Sequence, residues 1–261
     1  MQKRGQLTVF IILGLVVLVI AGIFFYLSGS IAPAGTKGAL ETRVNIEQLS
    51  PEAYVQHCVD QTASKALFYF GFIGGDVNPD PNPFYFRYDD NYMIPYYYYK
   101  GKSLLPSLSA AEQKYLSAYM DTNVRQCLDW TKMPNVQAEM GDPTTTTTIG
   151  TEDVTFSVAF PITISQTGQS RQLEPLYTTR IKVRLQEMLS IAKTIVDKEV
   201  EDDLYIHWDY LTEVGKRDYN ITAYTEADET IVYRMLDLKN SLYENKPYVF
   251  QWANKIKTVE P

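Results

Sequence analysis

The longest apolar stretch in the chain comes first. Leu7 to Leu27 reads LTVFIILGLVVLVIAGIFFYL, with no charge and no proline. A helix of about 21 residues is roughly 32 Å long, enough to cross a bilayer core of about 30 Å. Ser28 to Lys37 (SGSIAPAGTK) reads as a linker of small residues, with the folded region beginning near residue 50. There Ser50-Pro51-Glu52 signals a helix start: a serine cap, a proline at the first helical position and an acid at the positive dipole end. Tyr54, Val55, Cys58, Val59, Thr62, Ala66, Leu67 and Phe70 repeat at helical spacing, so the pattern predicts a helix to about Phe70, stopped by Gly71. Ser109-x-x-Glu112 is a capping box and predicts a second helix to about Trp130.

Between these helices, Phe84 to Lys100 reads FYFRYDDNYMIPYYYYK. Two aromatic runs flank Asp89-Asp90-Asn91, which predicts a hairpin, and Pro95 places its second arm at an edge or in a loop. Thr144 to Thr148 reads as an extended connector or solvated loop that separates residues 50–140 from an α+β region over 151–261. Val154, Phe156, Val158 and Phe160 alternate as a strand, Thr163-Ile164 continues past Pro161, and Thr167-Gly168 turns the chain back. A third helix is expected from about Thr179 to Val200 on the stripe Ile181, Leu185, Met188, Ala192 and Ile195. Asn220 to Thr225 and Thr230 to Leu236 form a hairpin around Ala227-Asp228, and Tyr248 to Trp252 is the last strand. The expectation is an α+β fold: an apolar N-terminal helix, a helical hairpin, and an antiparallel sheet with one long helix packed on it.

Lys3 and Arg4 precede the apolar run, and no further charge appears before Lys37. The positive-inside bias therefore sets the N-terminus in the cytoplasm and the bulk outside. A cleaved secretory signal ending near Ala32-Pro33-Ala34, a permanent anchor and a processed leader are the three fates open to the segment. Lys3-Arg4-Gly5-Gln6 ahead of the apolar run resembles the class III signal peptides of archaeal type IV pilin-like proteins. That resemblance implies peptidase cleavage between Gly5 and Gln6 and assembly of copies through the apolar helix. Many pilins carry a glutamate five residues after the cut, and here Phe10 holds that position. Cys58-Val59-Asp60, Gly74-Gly75, Ile94-Pro95-Tyr96-Tyr97-Tyr98 and Cys127-Leu128 together are similar to a group of archaeal single-span surface proteins, which implies a location and no activity.

Charge and chemistry narrow the function. The 24 basic residues less Lys3 and Arg4 stand against 31 acidic ones, a net −9 for the body. Such a surface disfavours nucleic acid. Partners are expected to be the lipid bilayer, other copies of the chain, and surface proteins or glycans. Cys58 and Cys127, the two cysteines, lie near the start of the first helix and the end of the second. They meet if the helices pack antiparallel, as a disulfide or as two buried thiols. His57 neighbours Cys58, but adjacent helical residues do not face one another. His207-Trp208-Asp209 lacks further metal ligands. Glu199, Glu201, Asp202 and Asp203 read as a solvated acidic loop without calcium-loop spacing. No Walker lysine, dinucleotide glycine motif or nucleophile elbow is present, so no catalytic residue, cofactor or metal is expected. Asn220-Ile221-Thr222 is a glycosylation sequon. Tyr92 and Tyr96, Tyr97, Tyr98 and Tyr99 are the candidate contact surface, because a run of four tyrosines cannot turn every ring to one side of a regular strand.

Overall fold

The computed structural model describes residues 49–75, 84–88, 92–202, 206–226, 229–243 and 246–256. The apolar N-terminal segment, the Gly5–Gln6 junction, the linker, Asp89-Asp90-Asn91, Asp203 and Ala227-Asp228 lie outside them.

Helix α1 spans Pro51–Phe72, and the Ser50 side chain accepts a hydrogen bond from the Ala53 N–H at 3.2 Å. Gly71 does not stop it. A side chain there would stand 2.1 Å from the Val249 carbonyl and 2.8 Å from the Tyr248 ring, so the glycine lets the helix touch a strand backbone. The helix ends one residue later, at Phe72, and Gly74 (φ 66°) and Gly75 (φ 95°) then turn the chain. Helix α2 covers 108–127: Leu108–Ala110 is α-helical, Ala111–Ser117 is π-helical and Ala118–Cys127 is α-helical again. Its cap is Ser107, which accepts from the Ala110 N–H at 3.1 Å. Ser109 and Glu112, expected to form the capping box, lie inside the helix.

The ends of α1 and α2 meet as their periodicity requires. Cys58 and Cys127 form a disulfide with Cα atoms 5.6 Å apart, and no free cysteine remains. Beside it the buried Tyr54 hydroxyl accepts from the Asp129 N–H at 2.8 Å, and its ring meets Trp130 edge-on at 5.6 Å.

The main sheet runs in the order β1 (Tyr85–Arg87), β2 (Met93–Tyr99), β12 (Lys246–Lys255), β11 (Thr230–Tyr243), β10 (Tyr219–Thr225), with β3 (Lys102–Ser103) also on β2. It is mixed, not antiparallel throughout, because β2 pairs parallel with β12. Pro95 is consequently in an interior strand. It stands opposite Tyr85 and one residue before Tyr96, the first position paired to β12, so its missing N–H falls outside that ladder.

Two three-stranded sheets complete the β structure among the described residues. One is β4 (Val136–Met140), β7 (Ile162–Gln166) and β8 (Gln169–Gln172); the other is β5 (Thr144–Ile149), β6 (Asp153–Ala159) and β9 (Leu176–Lys182). The threonine run, expected as a connector or loop, is thus strand β5, with Thr145, Thr147 and Ile149 buried. Its β-branched side chains suit a half-buried strand, and α2 closes its open edge. Glu112 accepts from the Ile149 N–H at 2.8 Å. Ser117 Oγ accepts from the Thr147 N–H at 3.1 Å and donates to the Thr147 hydroxyl at 2.9 Å. Asp121, whose pKa burial raises, lies against Thr145. The π-helical winding brings Glu112 and Ser117, five residues apart, near one line facing the strand.

Helix α3 (Leu185–Glu201) begins later than the periodicity suggests. Thr178, Thr179 and Ile181 pair with β6 along all of β9 instead. Helix α4 (Trp208–Gly215) buries Leu211 and Val214. The fold is α+β, and α1, α2, α3 and strands of all three sheets share one apolar core.

The disulfide closes a loop of 69 residues. Such a crosslink stabilises by about 4 kcal/mol in the chain-entropy model. Cys58→Ser is therefore expected to lower the melting temperature by roughly 10 °C against oxidised wild type. Reduced wild type should melt with the variant in calorimetry.

Candidate functional site

The tyrosine run is sorted between two faces by a β-bulge. On β12, Ala253 pairs with Tyr96, but the next residue, Asn254, pairs with Tyr98. One step on β12 thus spans two on β2, and Tyr97 is the extra residue. Because Ala253 and Asn254 face opposite sides, Tyr96 and Tyr98 do too. Tyr97 and Tyr98 enter the main core, where Tyr97 stacks on Trp252 at 5.9 Å and donates to the Gly74 carbonyl at 3.0 Å. Burial drives the Tyr97 pKa well above its ordinary value. Tyr96 joins Ile94, Val232 and Ala253 in a small cluster on the other face, 5.3 Å from the ring of Tyr99. The expected contact surface is therefore mostly interior: Tyr96, Tyr97 and Tyr98 are buried and Tyr99 is half-buried. Tyr92, at 37% exposure, is the open member.

Tyr92 belongs to a different surface. Phe68 stacks on Phe72 at 5.7 Å, and Phe72 meets Tyr92 edge-on at 5.1 Å. Tyr69 packs against Phe68 at 5.5 Å and reaches Tyr119 at 5.9 Å. Phe68 is 42% exposed and Tyr69 36%. This aromatic ridge runs along the last turns of α1 and continues onto β2's approach. Phe68 and Phe72 are four residues apart, so one helical turn aligns them. Phe68, Tyr69 and Phe72 lie off the buried stripe of the helix. Their signal was the presence of three large aromatics at positions off that stripe. Such a group of exposed rings is a candidate contact surface.

The acidic cluster divides. Glu199 is buried, not solvated, because it extends the α3 stripe through Ala192 and Ile195. Its carboxylate accepts from the Tyr233 hydroxyl and the Asn254 amide, both at 2.6 Å. Glu201 and Asp202 are exposed. His57 and His207 are half-buried, and the disulfide takes Cys58 out of nucleophilic chemistry. Among the described residues no three of His, Cys, Asp and Glu gather where they would hold a metal. Asn220 is exposed on β10, where Thr222 shares its face. A groove of about 440 Å³ lies between the Ser103–Leu108 segment and α3, rimmed by the Lys193–Asp197 pair.

A second polar cluster sits where α3 begins. Arg184 contacts Asp237 through Nε at 3.1 Å and Nη2 at 2.5 Å, donates to the Arg217 and Asp218 carbonyls, and covers the Tyr219 ring at 4.0 Å. Asp237 also accepts from the Lys239 N–H and the Asn240 amide. Burial alone would raise its pKa, yet the hydrogen bonds and the guanidinium charge outweigh burial and hold it low. The Tyr219 hydroxyl donates to Glu187 at 2.9 Å, and burial pushes its pKa up. Every group is turned inward on a partner, so this cluster ties α3 to β10 and β11. A carboxylate with a depressed pKa adds stability above its unfolded value and loses it as pH falls through the folded one. Arg184→Met is expected to cost about 3 kcal/mol near neutrality, since it strands the buried Asp237 charge. In urea unfolding the gap to wild type should narrow as pH drops below 3.8, the ordinary aspartate value.

No family pattern matches this chain, and no characterised protein or solved structure matches it either.

Proposed function

We propose that the chain is a non-enzymatic, membrane-anchored cell-surface protein whose folded part lies outside the cytoplasm and meets its neighbours through the aromatic ridge. The observation that carries the location is the Cys58–Cys127 disulfide, which persists in oxidising surroundings. It agrees with the topology inferred from Lys3 and Arg4 ahead of the Leu7–Leu27 run. Among the described residues no helix is long and apolar enough to cross a membrane, so the anchor in this reading is the N-terminal run. The ridge of Phe68, Phe72 and Tyr92 supports a contact role, since exposed aromatics bury much area at little entropic cost.

With cleavage between Gly5 and Gln6, the apolar run becomes the packing core of a filament of type IV pilin-like subunits. Phe10, in the place of the pilin glutamate, favours a second reading in which the protein stays a single-span receptor for a surface protein or glycan. The mature N-terminus and electron microscopy of shed material separate the two. A start at Gln6 with filaments supports the subunit, whereas an intact Met1 without filaments supports the receptor.

Two outcomes are expected. Protease added to sealed cells should remove the folded part while cytoplasmic markers survive; a protected folded part contradicts the topology. Replacing the exposed Phe68 and Tyr92 together by serine should weaken retention of native partners in crosslinking from intact membranes by tenfold or more, a loss of about 1.4 kcal/mol or greater. The melting temperature should stay within a few degrees, because both rings lie at the surface.

A further inference from the structure

We infer that the edge strand β10 is a self-association seam, through which two copies pair antiparallel about Ala223 and join their main sheets. This goes beyond the anchored, ridge-bearing reading and does not depend on it.

The phase of β10 is set by its flanks. Beyond its two ends, the Glu226 N–H donates to the Thr230 carbonyl at 2.7 Å and the Leu238 N–H donates to the Asp218 carbonyl at 3.0 Å. In an antiparallel ladder the bonded pairs alternate. Even-numbered residues of β10 therefore bond to β11, and the odd-numbered ones direct N–H and C=O away from the sheet. The outward groups of Ile221, Ala223 and Thr225 meet no partner among the described residues.

Among the described residues the other edges are short, occupied or charged. Strand β5 is closed by Glu112 and Ser117. On β9, Gln56 donates to the Thr178 carbonyl, and Arg180 and Lys182 guard the rest. Arg125 takes the Met140 carbonyl on β4. Strands β1 and β8 are three and four residues long. Native edges are protected by charges, prolines, bulges or brevity. Strand β10 has seven residues and none of these: Tyr219 to Thr225 holds no charge and no proline, and its register with β11 is unbroken.

The occupant that fits is a second copy, because the strand is complementary to itself. A two-fold axis through Ala223 sets it opposite Ala223 of the partner copy, Ile221 opposite the partner's Thr225 and Thr222 opposite the partner's Tyr224. That register forms about six backbone hydrogen bonds. The smallest side chain of the strand sits on the axis, and the Thr–Tyr pairs cover the outer face, where Tyr224 is 46% exposed in the single chain. The strand itself, Tyr219 to Thr225, brings no charge of its own to the contact between two acidic chains of net −7 each.

The test uses the full chain in detergent. Ala223→Pro removes an outward N–H and leaves the β10–β11 ladder whole. Sedimentation should give wild type twice the protein mass of a single 29.8 kDa chain and the variant half of that, with the two melting alike. Ala223→Cys supplies a check that needs no proline. Facing α-carbons in a bonded antiparallel pair lie about 5.5 Å apart, within disulfide reach, so mild oxidant should yield a covalent dimer. A monomeric wild type, a dimer that survives Ala223→Pro, or an Ala223→Cys chain that does not crosslink each overturns the seam; the last decides alone if the proline variant does not fold.

Discussion

Helix α1 is held at both ends, and much of the surrounding structure takes its position from that. At one end the Cys58–Cys127 disulfide and the Tyr54 hydroxyl bind it to the end of α2. At the other, Gly71 brings it onto the Val249 carbonyl, Tyr248 donates to the Leu67 carbonyl at 3.1 Å, and Gln251 donates to the Phe72 carbonyl. Strand β12 lies in the middle of the main sheet, so the crosslinked helix pair is fixed to the sheet that carries the tyrosines. The same contact leaves the far side of the last turns exposed at Phe68 and Tyr69, with Phe72 half-buried beside them. Scaffold and candidate surface are two faces of one helix.

The treatment of unpaired backbone explains much of the rest. Strand β5 is a row of threonines that would read as a loose linker, yet its outward N–H groups are met by side chains spaced along a π-helical stretch of α2. Buried donors need acceptors, and the helix winding departs from the usual period where it serves them. The bulge in β2 does comparable work for side chains. It releases two neighbouring tyrosines into one core, so the run needs no external partner to cover it. Against that background, the open edge of β10 stands out as a place where the same economy was not applied.

The parts legible in the sequence are those with local causes. Ser50-Pro51 starts a helix by its own chemistry, alternation marks β6 and the β10–β11 pair, and two cysteines at opposite helix ends foretell their bridge. What escaped reading depends on distant segments. Gly71 looked like a terminator because nothing near it reveals Val249. Thr179 and Ile181 fit a helical stripe equally well, and only pairing with β6 makes them strand. Pro95 suggested an edge, since the parallel partner β12 comes some 150 residues later. Glu199 looked solvated beside its acidic neighbours, although its spacing from Ile195 already set it on the buried stripe. The aromatic ridge was visible only as rings that the stripe left over.

A folded body outside the cytoplasm is the claim on which the functional reading rests, and the cysteines report on it directly. Native cells can be lysed in acid, so that thiols are frozen, and then treated with an alkylating reagent before digestion and mass spectrometry. The account predicts a crosslinked pair of peptides carrying Cys58 and Cys127, with neither residue alkylated. Recovery of both as alkylated thiols would contradict it.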